Sequence, residues 1–147
     1  MREILFRGKN KYNGKKWFYG WFCGKTLNHT MDDTEDCSHI IDFNTLYWHV
    51  VDPESVGQYT GLTDKNGTKI FEGDIFKMDD EIVSVIIFRE GCFRLQSWGL
   101  CGAYTESGYD ECGGGWGIIE CEPIDWYYIH DMEVIGNIHD NPELLEG

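Results

Sequence analysis

The sequence predicts a mainly β protein, and three observations carry that prediction. Aromatic residues make up 15% of the 147 residues, 18 residues are glycine and only three are proline. Apolar residues fall in short runs rich in β-branched and aromatic types, which fit a pleated, half-buried surface. Turn residues punctuate those runs, and no stretch carries the long apolar stripe of an amphipathic helix.

The elements follow in order. REILFRG (residues 2–8) and KKWFYGWFCG (15–24) read as two strands, and the Asn13-Gly14 pair between them supplies the positive φ angles of a tight hairpin. KTLNHTMDDTEDCSH (25–39) is polar and acidic and reads as a loop or excursion. TLYWHVV (45–51) is a strand. The segment 56–76, VGQYTGLTDKNGTKIFEGDIF, gathers glycines and lysines as a phosphate-gripping loop does. Yet Lys69 is followed by Ile70 and Phe71 in a strand-like run, not by Ser or Thr opening a helix. Its glycines mark chain reversals instead: a turn at 64–67 and a bulge or tight bend at Gly73. Residues 81–88 and 92–98 form a further hairpin, whose first arm is apolar on both faces and belongs at the centre of a sheet. Residues 99–117 hold seven glycines and no aliphatic repeat, and read as a long loop or a glycine-broken hairpin. Strand character resumes at 118–129 and 132–138, and residues 140–147 make one turn of helix at most.

Charge and cysteine content narrow the class. Twelve Lys and Arg stand against 26 Asp and Glu, a formal charge of −14, and no Lys or Arg follows Arg94. Residues 1–25 reverse the balance, with seven basic groups and one acid. Phosphate binding needs clustered cations, and Arg2, Arg7, Lys9, Lys11, Lys15 and Lys16 are the one such cluster. A solvated hairpin tip accounts for them more simply, so nucleic acid is disfavoured as a partner. No apolar run reaches the roughly 18 residues that span a bilayer, and the N-terminus lacks the pattern of a signal peptide. A soluble cytoplasmic protein is expected, with free thiols at its six cysteines. Their spacing lacks the close pairs of a zinc knuckle, so neither metal nor cofactor is expected.

Three pieces of the chain, REILFRGK…WFYGWF, VDPESVGQYTGLTDKNGTKIFEGDIF and EVIGNIHDNPELL, together resemble the YopX family of small phage and prophage proteins. The resemblance spans nearly the whole chain. It implies a phage-borne or prophage-borne cytoplasmic protein whose main domain is a small SH3-like β-barrel or roll, and it brings no catalytic residues with it. Short strands joined by tight turns beyond residue 56 suit such closure, which removes exposed sheet edges. The expected organisation is an N-terminal β-hairpin unit at 1–51, packed against a barrel domain at 52–147. The acidic segment 28–45 and the glycine-rich segment 99–117 depart from the family's usual economy.

Each candidate site has an ordinary structural role as its alternative. Glu72 and Asp74 flank Gly73 as a carboxylate pair, but turn-forming residues explain them better. The six cysteines and His29, His39, His49, His130 and His139 offer Cys–His pairs on paper, none in a local motif. No catalytic residue is assigned. Trp98, Tyr104, Tyr109 and Trp116 in and beside the glycine-rich segment form the preferred partner-binding site, since Tyr and Trp bury large area with few rotors to freeze. A plug at the barrel's open end uses the same residues, and both readings stay open. The leading expectation is a non-enzymatic protein-interaction module that meets a protein partner or a second copy of itself. The alternatives are an acidic mimic of nucleic acid that occupies a host DNA-binding protein, and direct nucleic-acid binding through the basic N-terminal hairpin.

Overall fold

The computed structural model describes residues 3–26, 37–77, 83–100, 116–124, 129 and 131–146; for 25–26, 37, 98–100 and 116–122 it describes the backbone alone. Strands arranged in two antiparallel sheets dominate, with short 3-10 turns at Pro53–Ser55 and Pro142–Leu145. The chain divides into two compact units, Met1–Gly61 and Leu62–Gly147.

The first unit contains β1 (Phe6–Lys9), β2 (Trp17–Thr26), β3 (Cys37–Asp42), β4 (Trp48–Val51) and most of β5 (Gly57–Thr63), ordered β4-β3-β2-β1-β5 across the sheet. The β1–β2 hairpin turns where Asn13-Gly14 predicts, with Asn10 Oδ1 accepting from the Tyr12 and Asn13 N–H groups. The polar segment 25–39 is shorter as a loop than its composition indicates. Lys25 and Thr26 extend β2, and Cys37–His39 open β3; residues 27–36 lie outside the described set. The reason is that Ser38 and His39 are buried polar residues leading into the fully buried Ile40, so β3 has no apolar pattern to advertise it. The expected strand at 45–51 begins only at Trp48, because Asp42 captures the preceding residues in a turn. Its Oδ1 accepts from the Asn44 and Thr45 N–H groups, both at 2.9 Å.

The sheet of the first unit curls. Asp52 N–H donates to Lys9 O (2.9 Å), Lys11 N–H donates to Val50 O (3.3 Å), and Asn10 bridges Val51. These bonds return the end of β4 to the end of β1, although the two are not neighbours in strand order. Ser55 locks the junction, accepting from Lys9 N–H at 2.8 Å and donating to Asp52 O at 2.7 Å. Phe18, Ile40 and Val51 fill the interior with Phe6 and Val56 against them. Burial of side chains this size stabilises by about 1.5–3 kcal/mol each.

The second unit starts with a hairpin between the end of β5 and β6 (Lys69–Phe71), followed by β7 (Asp74–Lys77), β8 (Val83–Arg89), β9 (Cys92–Leu100), β10 (Trp116–Pro123) and β11 (Val134–Asn137). The last five form a sheet in the order β10-β9-β8-β7-β11. β8 takes the middle place its two-faced apolar pattern predicts, with Ser84, Val85 and Ile86 in succession buried. Gly73 lies in a two-residue reversal between β6 and β7, not in a bulge. Glu90 and Gly91 both take positive φ (55° and 81°), so the β8–β9 turn has the type I′ signature. At the two ends of the glycine-rich segment 99–117, Gly99 pairs with Gly117 and Leu100 with Trp116; residues 101–115 lie outside the described residues. Ile70, Phe76, Ile86 and Ile129 form the core of this unit. No closed barrel appears among the described residues; β10 and β11 stand at opposite ends of the sheet order.

Candidate functional site

Of the carboxylate pair Glu72 and Asp74, Asp74 serves the fold. Asp74 is buried, and its Oδ2 accepts the Phe71 N–H at 2.8 Å across the β6–β7 reversal. One Cys–His pair comes into register: half-buried Cys23 stands directly opposite buried His39 across β2 and β3. The His39 ring meets Trp48 edge-on, centroids 5.8 Å apart. His49 stacks flat on Phe18 at 3.8 Å, on the core side of the same sheet. Cys92 is half-buried in β9, and His139 lies half-buried in a turn. Among the described residues no three His, Cys, Asp or Glu gather where a metal ion would sit.

The preferred aromatic site falls largely outside what is described. Trp98 pairs through its backbone with Ile118 and Val83, and Trp116 with Leu100, so both lie on the adjoining strands β9 and β10. Tyr104 and Tyr109 lie outside the described residues, as do His29, His130, Cys101 and Cys112.

The described aromatic surface is elsewhere, on the face of the first unit's sheet opposite to Phe18, where Arg7 and His39 are buried beside more exposed rings. Register defines it, since directly opposed residues of antiparallel strands share a face. Trp17, Tyr19 and Trp21 project from β2 at every second position, opposite to core-facing Phe18. β1 sets Lys9 opposite Trp17 and Arg7 opposite Tyr19. On the other side Trp21 faces Ile41 of β3, which in turn faces Trp48 of β4. Tyr19, Trp21 and Trp48 are 45%, 51% and 55% exposed. Trp21 is propped by Phe43, ring centroids 4.7 Å apart and nearly perpendicular. Burying such rings gains more than their area alone through quadrupole geometry, and a contiguous patch of them, unlike scattered exposed apolar residues, is characteristic of interaction surfaces.

Electrostatics sharpen the face. The Arg7 guanidinium lies over the Trp17 ring at 4.8 Å from its centroid, and the Lys9 ammonium at 5.7 Å. Such cation–π pairs hold an aromatic ring in a defined orientation. No Asp or Glu occurs on this face of β1–β4 among the described residues. The nearest described carboxylate in the sheet, Asp42, shares the opposite face with Gly20. The N–H groups of Thr45 and Asn44 hold its pKa below the ordinary value, with the Thr45 hydroxyl and His49 adding to the effect. It thus stays ionised and fixes the turn that presents Tyr47 and Trp48.

Sequence reasoning passes over Tyr19, Trp21 and Trp48 because WFYGWFC is aromatic at both odd and even positions. Alternation alone leaves open which set faces water. The discriminating signal was Gly20, which breaks only the even set.

The fold and the face together define a mainly β protein with a partly exposed aromatic sheet surface. The YopX protein family model matches residues 5–146, and the chain belongs to that family. Curated proteins include no match to it.

Proposed function

We propose that this protein is a non-enzymatic interaction module which docks a macromolecular partner on the aromatic face of its N-terminal unit. The observation that carries the reading is the half-exposure of Tyr19, Trp21 and Trp48 on one sheet face whose described residues include no carboxylate. Tyr, Trp and Arg are the residue types that dominate binding energy at interfaces. Family membership supports a phage-borne or prophage-borne accessory role in the host cytoplasm. The four-strand meander β7 to β10, with β11 returned beside β7, supports an SH3-like roll for the second unit. Trp98, Tyr104, Tyr109 and Trp116 remain a proposed second contact, for a protein partner or another copy.

The test replaces Tyr19, Trp21 and Trp48 together by Ser in the full chain. The variant keeps its circular dichroism spectrum but no longer retains whatever the wild type holds from cells that express it. Identical retention by a folded variant would remove the reading. A loss of function on Cys23→Ala and His39→Gln, with the aromatic variant unaffected, would move the protein to the enzymes.

A further inference from the structure

We infer that the aromatic face of the N-terminal unit binds single-stranded nucleic acid, with bases on the β2 rings and phosphates along the β1–β2 lysines. The inference rests on the interaction-module reading above and names its partner. Three features of the face select this chemistry.

The first is spacing. Trp17, Tyr19 and Trp21 lie at i, i+2 and i+4 on one strand, so their backbone positions step by about 6.7 Å. That is about twice the 3.4 Å step between stacked bases of one strand. An extended, unstacked strand can therefore offer successive bases to Tyr19 and Trp21, the two rings of the ladder that stand about half exposed. Stacking is indifferent to sequence because every base has a π-face, and it is a large part of single-strand affinity. A duplex hides those faces within its own stack.

The second is charge. The chain carries more than two acids for each cation, yet this face of β1–β4 shows no carboxylate among its described residues. Lys9 lies on it beside the ladder, and Lys11 and Lys15 flank the turn at the same end of β2, while Lys16 lies over Phe18 on the other face, 5.0 Å from the ring centroid. A partner protein presents both signs at its rim; a row of phosphates presents one. The formal charge of −14 opposes approach at long range. At physiological salt that repulsion is screened beyond about 8 Å, leaving the local lysines to decide.

The third is orientation. Arg7 is buried, with its guanidinium over Trp17; it holds the first ring of the ladder and is not a phosphate contact. Phe43 plays the same part for the last ring, Trp21. The ladder is thus fixed at both ends before a ligand arrives, which lowers the ordering cost of binding.

The test is fluorescence anisotropy with the full chain and labelled oligothymidine of about 15 nucleotides, within the span that single-strand sites cover, at about 0.15 M salt, where the long-range repulsion is screened, and then across a salt series. Oligouridine and a duplex of equal length are run beside it. Binding of both single strands with quenching of tryptophan fluorescence, and much weaker duplex binding, is expected. Tyr19→Ala and Trp21→Ala should each weaken binding between about fivefold and a hundredfold. Lys9→Gln and Lys11→Gln should each flatten the log–log salt dependence by about 0.7, while Lys65→Gln in the second unit changes nothing. No anisotropy change with wild type up to about 100 μM, where even nonspecific binding registers, overturns the inference. Equal affinity for duplex, unaffected by the folded aromatic variants, overturns it too. If wild type ignores every oligonucleotide while Trp21→Ala still abolishes retention of a protein, the partner assigned here is wrong and the module reading stands.

Discussion

Asp64 is almost fully buried, and its carboxylate serves three backbone donors. Oδ1 accepts from the Asn66 and Thr68 N–H groups at 2.8 Å, and Oδ2 from Val134 N–H at 3.2 Å. One side chain thereby closes the turn between β5 and β6 and ties it to the start of β11, about seventy residues on. Burial pushes its pKa up, but the donors at Thr68, Val134 and Asn66 outweigh it and hold the pKa below the ordinary 3.8. The folded value therefore lies beneath the unfolded one. Its stabilisation is complete above the unfolded pKa and is lost as pH falls through the folded value. In Asp64→Asn the amide nitrogen replaces one acceptor and meets an N–H group, so stability at neutral pH should drop by about 1–3 kcal/mol. The acid limb of a urea-midpoint profile should flatten in the same variant; an unchanged limb would assign it to other carboxylates. Ser84 and Ser97 make a second residue-scale case, opposed across β8 and β9 with hydroxyl oxygens 2.8 Å apart and both buried. Removing one hydroxyl orphans the other and should cost about 1–3 kcal/mol, while the Ser84→Ala, Ser97→Ala double variant should recover most of that loss. Chemical denaturation of the three variants measures the coupling.

At the scale of elements, turns and central strands are legible in the sequence, whereas β3 and the exposed face are not. The Asn13-Gly14 and Asp64–Gly67 reversals are local chemistry: a side-chain acceptor and a glycine settle them within four residues. β8 is legible because a strand buried on both faces needs an unbroken apolar run. β3 depends on context, since Ser38 and His39 are covered only when β2 and β4 close around them. The candidate site is hidden for a related reason. Trp21 and Trp48 are 27 positions apart and become neighbours only through Ile41, so no local window contains the face. Gly20 is the element's most constrained point. A Cβ there would collide with the carbonyl oxygen of Ile41 on β3 and crowd Ile40 Cγ2 at 3.1 Å. Backbone cannot retreat as a side-chain tip does, so Gly20→Ala should separate β2 from β3. The cost should exceed the about 1–3 kcal/mol of ordinary overpacking, read as a lowered thermal midpoint and lost tryptophan emission anisotropy. Gly24→Ala, two turns of the pleat further on with open space at its Cβ position, is the matched control.

At the scale of the molecule, charge is divided as sharply as structure. Residues 1–61 hold seven Lys and Arg against eight Asp and Glu, a net of −1; residues 62–147 hold five against 18, a net of −13. Each unit has its own core, so each meets its own electrostatic cost of compaction. Self-repulsion at high net charge opposes the compact state, and salt relieves it by shortening the reach of each charge from about 30 Å at 0.01 M to about 10 Å at 0.1 M. The second unit should therefore gain protection with salt while the first barely responds. Hydrogen exchange read by mass spectrometry separates them: peptides from β7–β9 should exchange more slowly as sodium chloride rises, and peptides from β1–β4 should not. The same partition bears on ligand choice. A near-neutral unit can place cations beside aromatic rings on a sheet face whose described residues include no carboxylate, whereas the strongly acidic unit repels any polyanion that approaches it. Bound oligonucleotide should then protect β1 and β2 amides and leave those of β8 and β9 at their free rates. Protection confined to the second unit would mean that its −13 charge does not govern where the molecule binds, and the assignment of the aromatic face would fall with it.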